Sequence, residues 1–384
     1  MVQFPKKLKA ELENRHQADA FRRLKISTGL TDFSSNDYLG FARQLELREA
    51  IDTLLTNSNQ NHGATGSRLL SGNHELYEIA EALISKIHEA EAALIFNSGY
   101  DANLGLISAV AQRGDLVIFD ELCHASIRDG IRLSNARAVK FKHNDLNDLE
   151  RIIKEAKEKT NPKELFIITE SVFSMDGDSP ELNKLAILSK KYDSQLIVDE
   201  AHAMGVFGYG LMQELGLTAK VFARIITFGK AMGCHGAVIL GSTDLRNYLI
   251  NFARSFIYTT ALPPYALATI IAAYQYLKEE QGAQKMKQLQ KNITVFKEQL
   301  CELGLDPYFI ASDSAIQVCQ ISGNTKVKSV ASSLVRQGFD VRPILSPTVP
   351  EGKERLRFCL HAFNTATEIK KVLATTKKVI LDEN

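Results

Sequence analysis

The sequence predicts an α/β protein, with a mainly parallel sheet in a large domain and a smaller α+β domain towards the C-terminus. Three observations carry that prediction. From His74 to Phe228, short near-continuous apolar runs alternate with helical patterns, as in a parallel sheet covered on both faces. Pro263-Pro264 then interrupts the chain, and beyond the helical stretch that follows it the pattern of strands and helices changes. At 384 residues the chain can build a large core and a second domain.

Residues 1–45 are expected to form an N-terminal helix and an extended arm, because the run from Lys6 to Lys25 alternates charged with apolar side chains. Strands are expected at Ala93 to Phe96, Leu116 to Phe119, Ala138 to Phe141, Leu165 to Thr169, Gln195 to Val198 and Arg224 to Phe228. Helical patterns such as Leu146 to Lys157 and Leu182 to Lys191 lie between them, and Gly236 to Leu240 adds a further strand. A long helical stretch is expected from Tyr265 to Leu303. After it, strands at Ala315 to Cys319, Phe339 to Arg342 and Arg355 to Leu360 surround a helix from Lys326 to Gln337. The expected division is therefore an arm (1–45), a large domain (46–262) and a small domain (263–384).

Composition excludes several classes. A net charge of +1 with scattered Lys and Arg is no nucleic-acid footprint. Five cysteines without CxxC spacing argue against a disulfide framework or a zinc site and fit a reducing cytoplasm. No run reaches the roughly 18 apolar residues of a membrane span, so a cytoplasmic protein without membrane partners is expected.

Chemistry concentrates at strand ends. Asp199 and His202 stand at the end of one apolar run, and Lys230 follows the next one, 31 residues after the first segment begins to close. The carboxyl edge of an open α/β sheet is where ligands bind. A lysine amine can condense with an aldehyde, a carboxylate can keep a pyridine nitrogen protonated, and an imidazole can lie beside the ring. These are the parts that hold pyridoxal phosphate (PLP). Gly229 and Gly233 flank the lysine and admit a bulky group. Asn97 to Tyr100 joins a strand to a helix whose first amides suit a phosphate, though a plain strand-to-helix turn reads the same way. His124 also follows a strand, where it can stack on a ring or simply cap the next helix. Arg355 and Arg357 alternate with apolar residues and share one strand face; a guanidinium there suits a carboxylate, and a solvated face is the other reading.

With those residues assembled, the chain resembles the α-oxoamine synthase family of PLP enzymes over nearly its whole length. The matching segments are Phe33 to Gly40 (FSSNDYLG), Gly63 to Arg68 (GATGSR), Thr169 to Gly177 (TESVFSMDG), Val198 to His202 (VDEAH), Thr227 to Lys230 (TFGK) and Tyr258 to Pro264 (YTTALPP). The resemblance implies an aspartate-aminotransferase-like (type I) fold and a homodimer with active sites at the interface. It implies that Lys230 bonds the cofactor, Asp199 pairs with its ring nitrogen, His202 contacts the phenolic oxygen and His124 stacks on the ring. Gly99, Tyr100 and Thr227 hold the phosphate, with Thr259 or Thr260 of a second subunit, and Ser174 lies near the cofactor. Asn36 lies near the substrate, Arg357 binds an amino-acid carboxylate, and Arg22 serves the acyl-thioester side.

Ser314 to Gln317 (SAIQ) and Val341 to Pro350 (VRPILSPTVP) are most similar to the family members of biotin biosynthesis. These condense L-alanine with pimeloyl-CoA or pimeloyl-acyl carrier protein and release CO2. Glycine C-acetyltransferase activity is the nearest competitor, serine palmitoyl transfer a further one. A non-catalytic partner subunit should lack the lysine, and a dinucleotide-binding module should carry a glycine fingerprint absent here. Two departures bear on the acyl pocket and the arm: Met204 and Cys234 replace smaller or hydroxyl-bearing residues, and the link from Lys25 to Phe33 is short.

Overall fold

The computed structural model describes residues 3–24, 29–58 and 61–382; Lys25 and the first part of the short link that it begins, residues 25–28, lie outside the described residues. The chain divides into two compact units. The larger contains Asn36–Ser174 and Asp178–Leu289, the smaller the chain up to Ser35, Met175–Gly177 and the chain from Gln290 onwards.

The large unit is built on seven strands: β1 Ala92–Phe96, β2 Leu116–Asp120, β3 Arg137–Phe141, β4 Leu165–Glu170, β5 Gln195–Asp199, β6 Ala223–Thr227 and β7 Ala237–Gly241. Their order is β1-β7-β6-β5-β4-β2-β3. The strands from β6 to β3 run parallel to one another, whereas β7 is antiparallel to both β1 and β6. Every residue of β1 and β4 is buried, because helices cover both faces, and this is why the strands read as unbroken apolar runs. Successive side chains still divide between the faces. Phe166, Ile168 and Ile197 join Leu106 of α1 (Gly99–Val110) and Ile127 of α2 (Ala125–Leu133) in one core. Leu165, Ile167, Leu196 and Val198 join Ile153 of α3 (Leu146–Lys159) and Leu185 of α4 (Leu182–Lys191) in the other.

A buried ion pair secures the chain after β5. Arg224 of β6 places Nε 2.6 Å from Glu200 Oε2. Its Nη1 and Nη2 donate to the carbonyls of His88 and Tyr209, at 3.1 and 3.2 Å. Glu200 Oε1 accepts the Met212 N–H at 2.8 Å, so both charges are fully engaged.

The expected helical stretch from Tyr265 to Leu303 is made of two helices, α5 Pro264–Lys278 and α6 Glu280–Leu303. Glu279 adopts an extended ψ of 168°, and the chain turns so tightly that a Cβ on Gly282 would lie 2.5 Å from Leu277 Cα. No proline marks this break. α5 is buried on nearly all sides and packs on the helices Leu45–Ser58 and Glu75–Ile87. It therefore belongs to the large unit, which runs to Leu289.

In the small unit, β8 Phe309–Ile310, β9 Ile316–Gln320, β10 Arg342–Ile344 and β11 Arg355–Cys359 form an antiparallel sheet in the order β10-β11-β9-β8. The helices α7 Asn324–Arg336 and α8 Ala366–Asp382 pack on each other. The strand expected at Phe339 to Arg342 is split: Phe339–Asp340 pairs in parallel with Thr31–Asp32, and Arg342 opens β10. The N-terminal helix spans Lys6–Gln17 and buries none of its residues. Gly177, at φ +76°, leaves only 2.3 Å between an added Cβ and the Ile316 carbonyl oxygen. Ser314 Oγ donates to the Gly177 carbonyl at 2.9 Å, so two of the motifs found in the sequence meet here. Among the described residues no helix is long and apolar enough to cross a membrane.

Candidate active site

The carboxyl ends of β2, β4, β5 and β6 bring a cluster of polar side chains together within the large unit. Lys230 lies three residues beyond β6 on a tight turn closed by the Gly233 N–H on the Lys230 carbonyl, at 2.9 Å. Gly233 has φ +61°, and a Cβ there would lie 2.2 Å from Ala42 N, so only glycine permits this packing of the lysine turn.

Lys230 Nζ stands 2.7 Å from His202 Nε2. His202 Nδ1 in turn meets Tyr38 Oη at 2.7 Å, and Tyr38 Oη donates to Asn36 Oδ1 at 3.1 Å. Lys230 and Tyr38 thus engage the two ring nitrogens of His202, one each, and hold the imidazole between them.

Asp199 ends β5 and is 4% exposed. Its Oδ1 accepts the Ala201 N–H at 2.9 Å, and its Oδ2 accepts Asn103 Nδ2–H at 2.7 Å. Asn103 comes from the buried face of α1 and donates also to Ser126 Oγ, at 3.1 Å. Ser126 Oγ lies 2.8 Å from His124 Nδ1, which accepts the Ser126 N–H at 3.2 Å. His124 thus does cap α2, which leaves the proton of the neutral ring on Nε2. Partial desolvation lowers its pKa, while the Asp199 charge pulls the other way.

Glu170 ends β4 directly opposite Asp199 in the ladder, and its Oε1 accepts the His124 N–H at 2.6 Å. Burial first, and then the charge of Asp199, push the Glu170 carboxyl up to about 8. It is a neutral acid at pH 7.

A second group of residues gathers at the N-terminus of α1. Ser98 Oγ caps the helix by accepting the Asp101 N–H at 3.1 Å. The N–H groups of Gly99 and Tyr100 precede any intrahelical acceptor. Thr227 Oγ1 would lie 2.4 Å from a Cβ on Gly99, so the hydroxyl sits against the helix terminus and requires glycine there. Tyr100 Oη donates to Asp129 Oδ2 at 2.5 Å. Asn97 Nδ2 donates to Thr259 Oγ1 and to the Thr260 carbonyl, at 3.1 and 2.8 Å. Ser174 is half-buried, four residues beyond β4.

Arg22 and Arg357 belong to the small unit; Arg22 Nη2 donates to Thr348 Oγ1 at 3.2 Å, and Arg357 Nη1 to Cys359 Sγ at 3.0 Å. Arg357 is 8% exposed, so β11 is no solvated face. Met204 is buried, and the Cys234 thiol points at the Met232 and Thr269 carbonyls, at 3.0 and 3.5 Å. Four participants escaped the sequence reading: Tyr38, Asn103, Ser126 and Glu170. Asn103 left one signal, a polar side chain among Ala102, Leu106 and Ile107 on a helix that is otherwise apolar inward.

Known proteins resemble this chain in sequence and backbone. The model of the family aminotransferase class I and II matches residues 28–375. An 8-amino-7-oxononanoate synthase of Emericella nidulans is 40% identical over 400 aligned positions, spanning 97% of this chain and 95% of that protein. The crystal structure of 8-amino-7-oxononanoate synthase from Francisella tularensis aligns with TM-score 0.76 and 30% identity, over 92% of this chain and 98% of that one. A single-residue variant of serine palmitoyltransferase from S. paucimobilis, solved with a bound PLP–myriocin aldimine, aligns with TM-score 0.87 and 25% identity, over 98% and 97% of the two chains. Fold, motifs and relatives agree along nearly the full length: the chain belongs to the aminotransferase class I and II family.

Proposed function

We propose that this protein is a cytoplasmic, homodimeric, PLP-dependent enzyme that condenses L-alanine with a pimeloyl thioester. The products are 8-amino-7-oxononanoate, CO2 and the free thiol carrier, a step of biotin biosynthesis. The observation that carries the reading is Lys230, 2.7 Å from His202, beside an Asp199 whose two oxygens are each held by a donor. The residues suit PLP. Gly99 leaves room for Thr227 Oγ1 at the helix terminus, where a phosphate is favoured, and around Gly229 an added Cβ would meet nothing nearer than 3.6 Å. When bound, PLP supplies an electron sink that stabilises negative charge at the substrate Cα.

The chain's own residues do the rest. Lys230 holds the cofactor covalently, then takes the Cα proton of alanine and returns one after decarboxylation. Asp199, fixed by Asn103 and the Ala201 N–H, keeps a proton at the ring nitrogen. His202, held by Tyr38 and through it Asn36, would meet the phenolic oxygen, and His124 would stack on the ring. Gly99, Tyr100 and Thr227 receive the phosphate, helped by Thr259 or Thr260 of the second subunit, with Ser174 nearby. Arg357 takes the alanine carboxylate and Arg22 serves the thioester, both assigned on the family resemblance. The alanine Cα attacks the thioester carbonyl, the C–S bond breaks, the thiol leaves, and loss of CO2 completes the reaction.

Sequence identity supports alanine and pimeloyl as substrates. The backbone follows serine palmitoyltransferase more closely, but the amino acids follow the E. nidulans protein, at 40% against 25%. Borohydride reduction of the PLP-loaded protein followed by peptide mass spectrometry tests the centre of the scheme. The expected result is a reduced PLP adduct on the peptide containing Lys230 and none in Lys230→Ala. An adduct on any other lysine would overturn it.

A further inference from the structure

The turn after β3 holds a side chain that the proposed reaction does not use. His143 Nδ1 lies 3.0 and 3.1 Å from the two oxygens of Asp120, and its Nε2 lies 2.8 Å from Asp178 Oδ2. Two ring nitrogens facing two carboxylates favour a proton on each, the imidazolium form, with Asn144 Nδ2 also 3.3 Å from Nε2. Burial alone would lower its pKa, but the hydrogen bonds to Asp120 and Asp178 outweigh that and raise it to about 10.

Both aspartates stand in loops of the candidate site, Asp120 holding its turn through side chain and backbone and Asp178 through its backbone. Asp120 ends β2 and is fully buried. It accepts the Leu122 N–H at 2.8 Å and the Asn144 N–H at 2.9 Å, and its carbonyl accepts the Cys123 N–H at 3.1 Å. It thereby shapes the turn that ends at His124, whose own N–H is taken by Glu170. The Asp178 carbonyl accepts the Phe173 N–H at 3.0 Å, closing the stretch that contains Ser174. Asn144 Nδ2 adds a second donor to Asp178 Oδ2, at 2.7 Å, from a residue at φ +55°. The Phe173 ring stands edge-on to the imidazole, 4.4 Å away at 90°.

We propose that His143 is a positioning residue, an imidazolium clip between Asp120 and Asp178 that fixes the two loops presenting His124 and Ser174 to the cofactor. The inference rests on the cofactor assignment made above. Buried ion networks add little net stability over apolar packing, whereas removing one member leaves charges uncompensated and lets the geometry relax. Here the relaxed parts would be the loop over the ring face and the stretch near it.

The test uses the PLP-loaded enzyme and two variants, His143→Asn and His143→Ala, with visible circular dichroism as the main readout because it reports the asymmetry around the bound ring. The clip predicts that both variants still yield the borohydride adduct on Lys230 while the visible band loses at least about half its intensity. kcat falls about tenfold or more, as for a misplaced group, with KM for alanine changed less than about threefold. Added imidazole restores band and kcat in His143→Ala but not in His143→Asn, whose side chain fills the space. Wild-type band and kcat in both variants would overturn the clip alone. So would variants that lose PLP together with their fold and regain neither with imidazole, since His143 would then be structural. A wild-type protein that takes up no PLP would overturn the cofactor assignment and the clip with it.

Discussion

Asn103→Leu removes one donor from Asp199 at nearly constant side-chain volume. In the structure Asn103 Nδ2–H reaches Asp199 Oδ2 at 2.7 Å, while Oδ1 is satisfied by the Ala201 N–H at 2.9 Å. At 4% exposure little water can replace the lost donor. A hydrogen bond to a charged group contributes about 1.5–3 kcal/mol, which corresponds to a ten- to roughly hundredfold change in an equilibrium constant. If Asp199 must stay ionised to hold the pyridinium nitrogen, the Kd for PLP rises by about that factor. The assay is titration of the apoprotein with PLP followed by absorbance, with thermal melting of the apoprotein to check that the core survives. A Kd within about twofold of wild type in a folded variant would refute the assignment of Asp199 to the ring nitrogen.

Two further predictions concern stability. Arg224→Met leaves Glu200 buried without its cation, and breaking such a pair costs about 3–5 kcal/mol; chemical unfolding of the apoprotein measures it, and a loss under about 1 kcal/mol would contradict the buried-pair reading. Glu170 and His143 both keep a proton in the folded state that the unfolded chain has already released, since their ordinary values of 4.5 and 6.5 rise to about 8 and about 10. The unfolded state therefore binds fewer protons in these windows, and stability falls as pH rises. The fall runs from 4.5 to 8 through Glu170 and from 6.5 to 10 through His143. Glu170→Gln flattens the lower part of the profile and His143→Asn the upper part, measured by melting temperature against pH. A wild-type profile that rises across either window relative to its variant would refute the assignment.

How much could be read in advance follows from where the information sits. Most strands of the large unit were legible because burial on both faces turns them into short apolar runs, as in Leu165 to Thr169, whereas the exposed edge strand Arg137–Phe141 keeps two charged residues. The direction of β7 was not, since an antiparallel strand between buried neighbours has the same composition. The break at Glu279 carries no proline, and only the crowding at Gly282 reveals it. In the candidate site, Lys230, Asp199, His202 and His124 stood out as chemistry-bearing residues at strand ends. Their supports did not, because Asn103 reaches Asp199 across 96 residues and Tyr38 reaches His202 across 164. Such pairs exist only once the topology has brought α1, β5 and the N-terminal part of the large unit together. Glu170 was inside a matched motif, yet its role depends on lying opposite Asp199 in the ladder, which composition does not show.

Product identification tests the central claim most directly. The PLP-loaded protein would receive L-alanine, glycine and L-serine together, with pimeloyl-CoA and acetyl-CoA in equal amounts, and the products would be resolved by mass spectrometry. The account predicts that 8-amino-7-oxononanoate dominates and disappears in Lys230→Ala. A dominant glycine–acetyl product would contradict the substrate assignment while leaving the site chemistry standing, and no condensation product from any pair would contradict the function itself.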